Sequence, residues 1–198
     1  MRLTIGCHKG GVGKTTSAVL LALQLHQDAP TVLVDGDGQG SATTWVRLAG
    51  DDWPQDLTVV PWRDPLTLPP RWGGHVVFDT APNDPIRLRA ALEHSDTALV
   101  PIGSRRGDVV QLGETVGTVA EAARGRDLSW AVFVTMRRGA TRAARDAPAA
   151  IERDQLPLLR TEIPLSEAIA DTFGRAPARI PGAYVDLYRE ITEEPQRA

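Results

Sequence analysis

His8-Lys9-Gly10-Gly11-Val12-Gly13-Lys14-Thr15-Thr16 is the stretch on which the reading of this chain turns. Of the 22 lysines and arginines in its 198 residues, only Lys9 and Lys14 are lysines, and both stand in this one turn. Chance placement in an arginine-biased sequence is the bland alternative. A compact ammonium, however, fits inside a tight loop where a planar guanidinium does not. Residues 2–7 read as a short buried strand. Residues 14 to about 27 read as a helix with apolar Ala18, Val19, Leu21, Ala22 and Leu25. The glycines between them let backbone N–H groups turn inward around phosphates, at the positive end of the following helix. On this reading residues Gly10, Gly11, Val12, Gly13, Lys14, Thr15 and Thr16 cradle a nucleotide. Lys14 reaches the β- and γ-phosphates, and the Thr15 hydroxyl ligates Mg²⁺. The first glycine of the usual G-x-x-x-x-G-K-[ST] pattern is replaced by His8, and a second lysine, Lys9, precedes Lys14 by five residues.

Two further motifs end predicted strands. Thr31-Val32-Leu33-Val34-Asp35 runs into Gly36-Asp37-Gly38-Gln39-Gly40-Ser41, and His75-Val76-Val77-Phe78-Asp79 runs into Thr80-Ala81-Pro82. Ligands in open α/β sheets bind beyond the carboxyl ends of the strands, so Asp35, Asp37 and Asp79 are expected to converge on the glycine-rich loop. Any one aspartate also fits a plain turn after a strand. Three behind one phosphate loop favour a Mg²⁺-nucleotide site.

These motifs together resemble the deviant Walker ATPases of the ParA/MinD group, most closely the small ParA-type proteins that partition DNA. The likeness continues through Asp96–Ile102, Phe133–Arg137 and Leu165–Ala168, and so covers about residues 1–175. It implies that Lys9 is the signature lysine that crosses a nucleotide-sandwich dimer to the partner's phosphates. It further implies that Lys9, Lys14 and Asp37 act in catalysis, with Asp37 orienting the attacking water, and that Thr15, Asp35 and Asp79 serve the metal. ATP and Mg²⁺ are the implied cofactors. The implied partners are a second copy of the chain, non-specific DNA and a centromere-binding, ParB-like protein. The family's second motif reads D-x-D-P-Q, whereas Gly38 stands at the proline position here, which loosens the backbone beside Asp37.

Length and a hydrophobic fraction of 42% suit one α/β domain over residues 1–198. The expected fold is a P-loop NTPase: a mostly parallel central sheet with helices on both faces. With a first strand near residue 2, no helix-turn-helix precedes the domain, so site-specific repression is not expected. No signal peptide and no apolar run of membrane-spanning length is read, and a lone Cys7 forms no disulfide framework, which points to the cytoplasm. Nucleoid association when ATP-bound follows from the family likeness. Residues 57–62 read as a strand and 63–74 as a proline-rich surface loop. Residues 86–94, 109–123, 140 to about 153 and 184–194 read as helices. The five tryptophans read as packing residues.

Arg137, Arg138, Arg142, Arg145 and Arg153 face only Asp146 and Glu152 in their stretch. Such a stripe binds DNA phosphates without reading sequence, or is a solvated helix face. Composition favours the second reading, and the family likeness brings the DNA reading, carried by Arg137, Arg138, Arg142 and Arg145, level with it. Arg105 and Arg106 are a weaker candidate. A MinD-like membrane-positioning ATPase needs a basic amphipathic terminal helix, and the acidic 188–194 segment does not provide one. An iron–sulfur relative needs paired cysteines. A non-hydrolysing nucleotide-binding scaffold and a small-molecule kinase or ligase of the same fold remain as alternatives.

Overall fold

The computed structural model describes residues 1–64, 73–104, 108, 112–139 and 142–193, the side chains of 142–146 excepted. Six strands form one sheet: β1 (Arg2–Ile5), β2 (Thr31–Gly36), β3 (Leu57–Pro61), β4 (His75–Thr80), β5 (Thr97–Gly103) and β6 (Ser129–Thr135). Their order is β3-β2-β4-β1-β5-β6, and every pairing is parallel. The helices are α1 (Lys14–Leu25), α2 (Ser41–Ala49), α3 (Pro85–Glu93), α4 (Leu112–Ala123), α5 (Arg142–Arg153), the single-turn α6 (Glu167–Ala170) and α7 (Gly182–Glu193). The expected α/β class and helix-covered parallel sheet are what the chain adopts.

Strand side chains alternate between two cores, as a sheet buried on both faces requires. Leu3, Ile5, Leu33, Val77, Leu99, Ala131 and Phe133 face α1, α2 and α7, where Ala18, Leu21, Ala42, Trp45, Tyr184 and Leu187 pack. Ala98, Val100, Ile102, Val132 and Val134 face the other side with Leu88, Leu92, Val119 and Ile151, and Val32, Val34, Val76 and Phe78 pack there with Trp62. The α1 helix is buried along Ala18–Leu23, more completely than an amphipathic surface helix, because α7 covers its outer side. Trp45, Trp53, Trp62 and Trp130 are buried packing residues, as expected; Trp72 lies outside the described residues.

Element boundaries differ from the expected ones for local reasons. The first strand ends at Ile5, although Gly6 still donates its amide to Leu99 O of β5 at 3.1 Å. Helix α2 carries no start signal in the sequence: its N-cap is Gly40 in the left-handed region at φ 62°, with no capping side chain. The helix over 142–153 forms around Pro148, as expected. The expected start of α4 at 109 and the proline-rich residues 65–72 lie outside the described residues.

Beyond β6, residues 157–165 run alongside the strand, with hydrogen bonds Val132 N–H to Pro157 O (2.7 Å), Leu159 N–H to Val132 O (2.9 Å) and Ile163 N–H to Val134 O (2.8 Å). Glu190 of α7 fastens this segment to the helix layer. Its buried carboxylate accepts the Arg160 amide at 2.7 Å and the Thr161 amide at 2.9 Å. Burial pushes the Glu190 pKa up, but the Thr161 hydroxyl, the two amides and the Arg160 charge outweigh it and hold it below the ordinary 4.5. Its stabilising effect is therefore complete above about pH 4.5 and is lost as pH falls through the depressed value. Glu190→Ala should lower unfolding free energy by about 2 kcal/mol at pH 7 and flatten the loss of stability below pH ~5, checked by urea titration at both pH values.

Candidate functional site

The strand order places the site. The chain leaves β1 towards β2 on one side and later crosses from β4 past β1 to β5 on the other, which opens a crevice at the carboxyl ends of the central strands. The loop after β1 sits there. Gly11 (φ 73°) and Gly13 (φ 81°) take left-handed conformations that a side chain rarely adopts, so the loop can wrap inward. Three ties hold it. The Thr135 hydroxyl at the end of β6 lies 2.9 Å from Val12 O and 3.1 Å from Ile102 O. The Asn83 amide reaches His8 O at 3.0 Å, and the His8 amide reaches the buried Thr115 hydroxyl of α4 at 3.1 Å. His8, which departs from the phosphate-loop pattern, is thus a buried link to α4, with Nε2 3.4 Å from Thr118 Oγ1.

The two lysines have different surroundings. Lys14 is only 6% exposed, and its ammonium donates to Lys9 O at 2.7 Å inside the loop. Burial lowers its pKa, against the charges of Cys7, Asp79 and Asp37 that raise it. The Lys9 side chain lies on the rim, 28% exposed, and forms an ion pair with Asp108. Asp108 fits there because position 103 is glycine: a Cβ at Gly103 would collide with the Asp108 carboxylate. Sequence reasoning missed Asp108, which belongs to no motif and gains its role from the end of β5.

The three aspartates converge as expected, but in unlike environments. Asp35 and Asp79 are neighbours in register on β2 and β4. The strands approach so closely that a Cβ at Gly36 would lie 2.7 Å from Asp79 O. Asp35 is hydrogen-bonded through both oxygens: Oδ1 accepts the Asp37 amide (3.3 Å), and Oδ2 accepts the Thr43 amide (2.8 Å) and the Thr43 hydroxyl (2.6 Å). Asp79 is fully buried, and neither of its oxygens has a hydrogen-bond partner of ordinary geometry. Desolvation raises its pKa to about 7; the Thr15 side chain and Lys14 oppose that shift, while Asp35 and Asp37 add to it. An orphaned buried carboxylate beside a threonine hydroxyl and an ammonium fits a divalent cation, whose charge would offset the desolvation. Thr15 and Asp79 are therefore the residues best suited to hold Mg²⁺, with Asp35 turned towards the loop behind them.

Asp37 opens a tight turn. Its carbonyl accepts the Gly40 amide at 2.8 Å, and its Oδ1 accepts the Gln39 amide at 2.9 Å. Gly38 occupies the second position of that turn, the place that proline suits, and a Cβ there would meet nothing. The turn closes with glycine, because Asp37 supplies the restraint from its own side chain.

Of the arginine stripe, the described side chains are those of Arg137, Arg138 and Arg153. Arg137 pairs with Glu162 across the 157–165 segment, so part of its charge is already neutralised. Arg138 also has an interaction partner. The side chains of Arg142 and Arg145, and residues Arg105 and Arg106, lie outside the described residues.

Comparison with known proteins decides the family. Residues 3–177 match the CobQ/CobB/MinD/ParA nucleotide binding domain. The chain belongs to this family. A curated relative, the maintenance of carboxysome distribution protein A of Gloeobacter kilaueensis, is 38% identical over 111 residues, 54% of this chain and 51% of that protein. The match thus spans about half the length of that relative. Among solved structures, the fold resembles the ATP complex of an McdA variant from Cyanothece (TM-score 0.75, 18% identity, 99% of this chain and 97% of that one). It also resembles a putative plasmid partition protein of Borrelia burgdorferi bound to AMPPNP (TM-score 0.69, 19% identity, 96% of each chain).

The Asp79 environment has a measurable consequence. An acid with a raised folded pKa keeps its proton in the folded state between the ordinary 3.8 and about 7, so the empty protein loses stability as pH rises through that window. Asp79→Asn removes the buried charge. With EDTA and no nucleotide, the variant should melt about 4 °C above wild type at pH 8, and the gap should narrow by about half at pH 5 and close near pH ~4 in thermal scans.

Proposed function

We propose that the chain is a ParA-type ATPase that positions or partitions an intracellular cargo through an ATP-dependent sandwich dimer binding DNA non-specifically. The observation that carries this reading is the division between the two lysines. Lys14 is enclosed in its own loop, whereas Lys9 stands on the rim, held by an ion pair it can exchange. A lysine serving its own nucleotide alone would not need the rim. In this reading the amides of Gly10–Thr16 and the Lys14 ammonium take the phosphates, and Lys9 takes the partner's γ-phosphate. Thr15 and Asp79 would hold Mg²⁺, which when bound would neutralise phosphate charge and polarise the phosphoryl oxygens. Asp37 orients the attacking water, and hydrolysis dissolves the dimer. The protein is then a slow switch, sped by a partner that recognises the dimer.

Whether the cargo is DNA carrying a ParB-like protein or a large protein assembly is the finer part of the proposal. The carboxysome-distribution relative and the plasmid-partition neighbour support the two cargo types by their names. A MinD-like positioning role fits the family match equally, although the apolar face of α7, with Tyr184 and Leu187, is packed against α1.

Light scattering with a DNA-binding assay in ADP, ATP and a non-hydrolysable ATP analogue tests the proposal. Wild type should dimerise and bind random-sequence DNA only with ATP or the analogue, and release the DNA as salt rises. Lys9→Ala should keep ATP affinity within about threefold and form no dimer. A Lys9→Ala protein that still dimerises with ATP would sink the proposal.

A further inference from the structure

The first turn of α2 raises a question that its own sequence leaves open. Gly40 precedes the helix without a side chain, so the orphan amide of Thr43, third residue of the helix, has no local cap. Asp35 supplies one from the end of β2: its Oδ2 takes the Thr43 amide at 2.8 Å. The same oxygen then takes the Thr43 hydroxyl at 2.6 Å, a second, charge-assisted bond that capping alone does not require. With Oδ2 held by two donors, the carboxylate plane is fixed and Oδ1 faces the Asp37 amide. Asp37 in turn closes the 37–40 turn through its carbonyl and its carboxylate.

We infer that Thr43 is a positioning residue for hydrolysis: its hydroxyl fixes Asp35, and Asp35 fixes the Asp37 turn. The Thr43 hydroxyl reaches the site through Asp35, so it acts on where Asp37 stands and not on nucleotide affinity. It does the work that a turn proline would do at position 38, by anchoring the far end of the turn instead of stiffening its middle. A helix start without its own cap is thereby made to depend on the strand that delivers the catalytic aspartate. The kinetic half of this inference rests on the ATPase reading above; the structural half does not.

The test uses the full chain as wild type, Thr43→Val, Thr43→Ser and Thr43→Ala. Amide exchange of Gln39 and Gly40 reports on the turn, and steady-state ATP hydrolysis with Mg²⁺ reports on the site. Thr43→Val should speed exchange at both amides about tenfold and lower kcat about tenfold, with KM for ATP within about twofold. Thr43→Ser keeps the hydroxyl and should restore both to near wild type. Thr43→Ala also lacks the hydroxyl but favours the helix, and it gives the same readouts if Thr43→Val does not fold. Turn amides as protected in a folded Thr43→Val or Thr43→Ala as in wild type would overturn the inference. So would a loss of kcat that Thr43→Ser fails to restore. A wild type that hydrolyses no ATP would sink the ATPase reading and the kinetic half, while exchange at Gln39 and Gly40 still decides what Thr43 does to the turn.

Discussion

A fully buried carboxylate with no hydrogen-bond partner is costly in a folded protein, and Asp79 is such a group at the middle of the sheet. Its cost is tolerated because strand geometry leaves no room for relief. Gly36 brings β2 against the Asp79 carbonyl, Asp35 lies in register beside it, and Lys14 and Thr15 bring opposing groups from the glycine-rich loop. Most of the site can be understood as the surroundings of that one unsatisfied charge. Lys14 is buried and bonded to its own loop, and Asp37 and Asp35 are restrained by neighbours. Among these described residues of the site, the carboxylate left unsatisfied is the one a cation would complete.

The contrast between Asp35 and Asp79 shows how a parallel sheet gives similar residues different work. Both end apolar strands and both are almost fully buried. Asp35 faces the start of α2, where amides without partners are plentiful, and it becomes a cap and a turn anchor. Asp79 faces the P-loop, where Thr15 and Lys14 approach it, and it keeps both oxygens unpaired. The difference lies in the element that each strand end meets.

Much of this is legible in the sequence. The two lysines, the glycine spacing and the aspartates ending apolar runs specify the loop, the sheet's active edge and the family before any coordinates. Burial on both faces of β2, β4, β5 and β6 agrees with their unbroken apolar runs, which suit a sheet covered on both sides. The features that escape the sequence depend on contacts across the fold. Helix α2 is hidden because glycine stands where a capping side chain would signal its start, and the cap arrives from Asp35, eight residues before Thr43. The Arg137–Glu162 pair joins residues whose proximity depends on the 157–165 segment lying along β6. Asp108 likewise depends on the empty space above Gly103.

That space has a consequence for the ligands the site can accept. With Lys14 turned onto a loop carbonyl and Lys9 onto Asp108, both ammoniums are already compensated within the chain. An arginine-rich protein with a bare, doubly charged loop would collect any small anion that passed. Here each lysine keeps an internal partner, and the one on the rim owes its carboxylate to the missing side chain at Gly103, whose absence leaves Asp108 room to stand there.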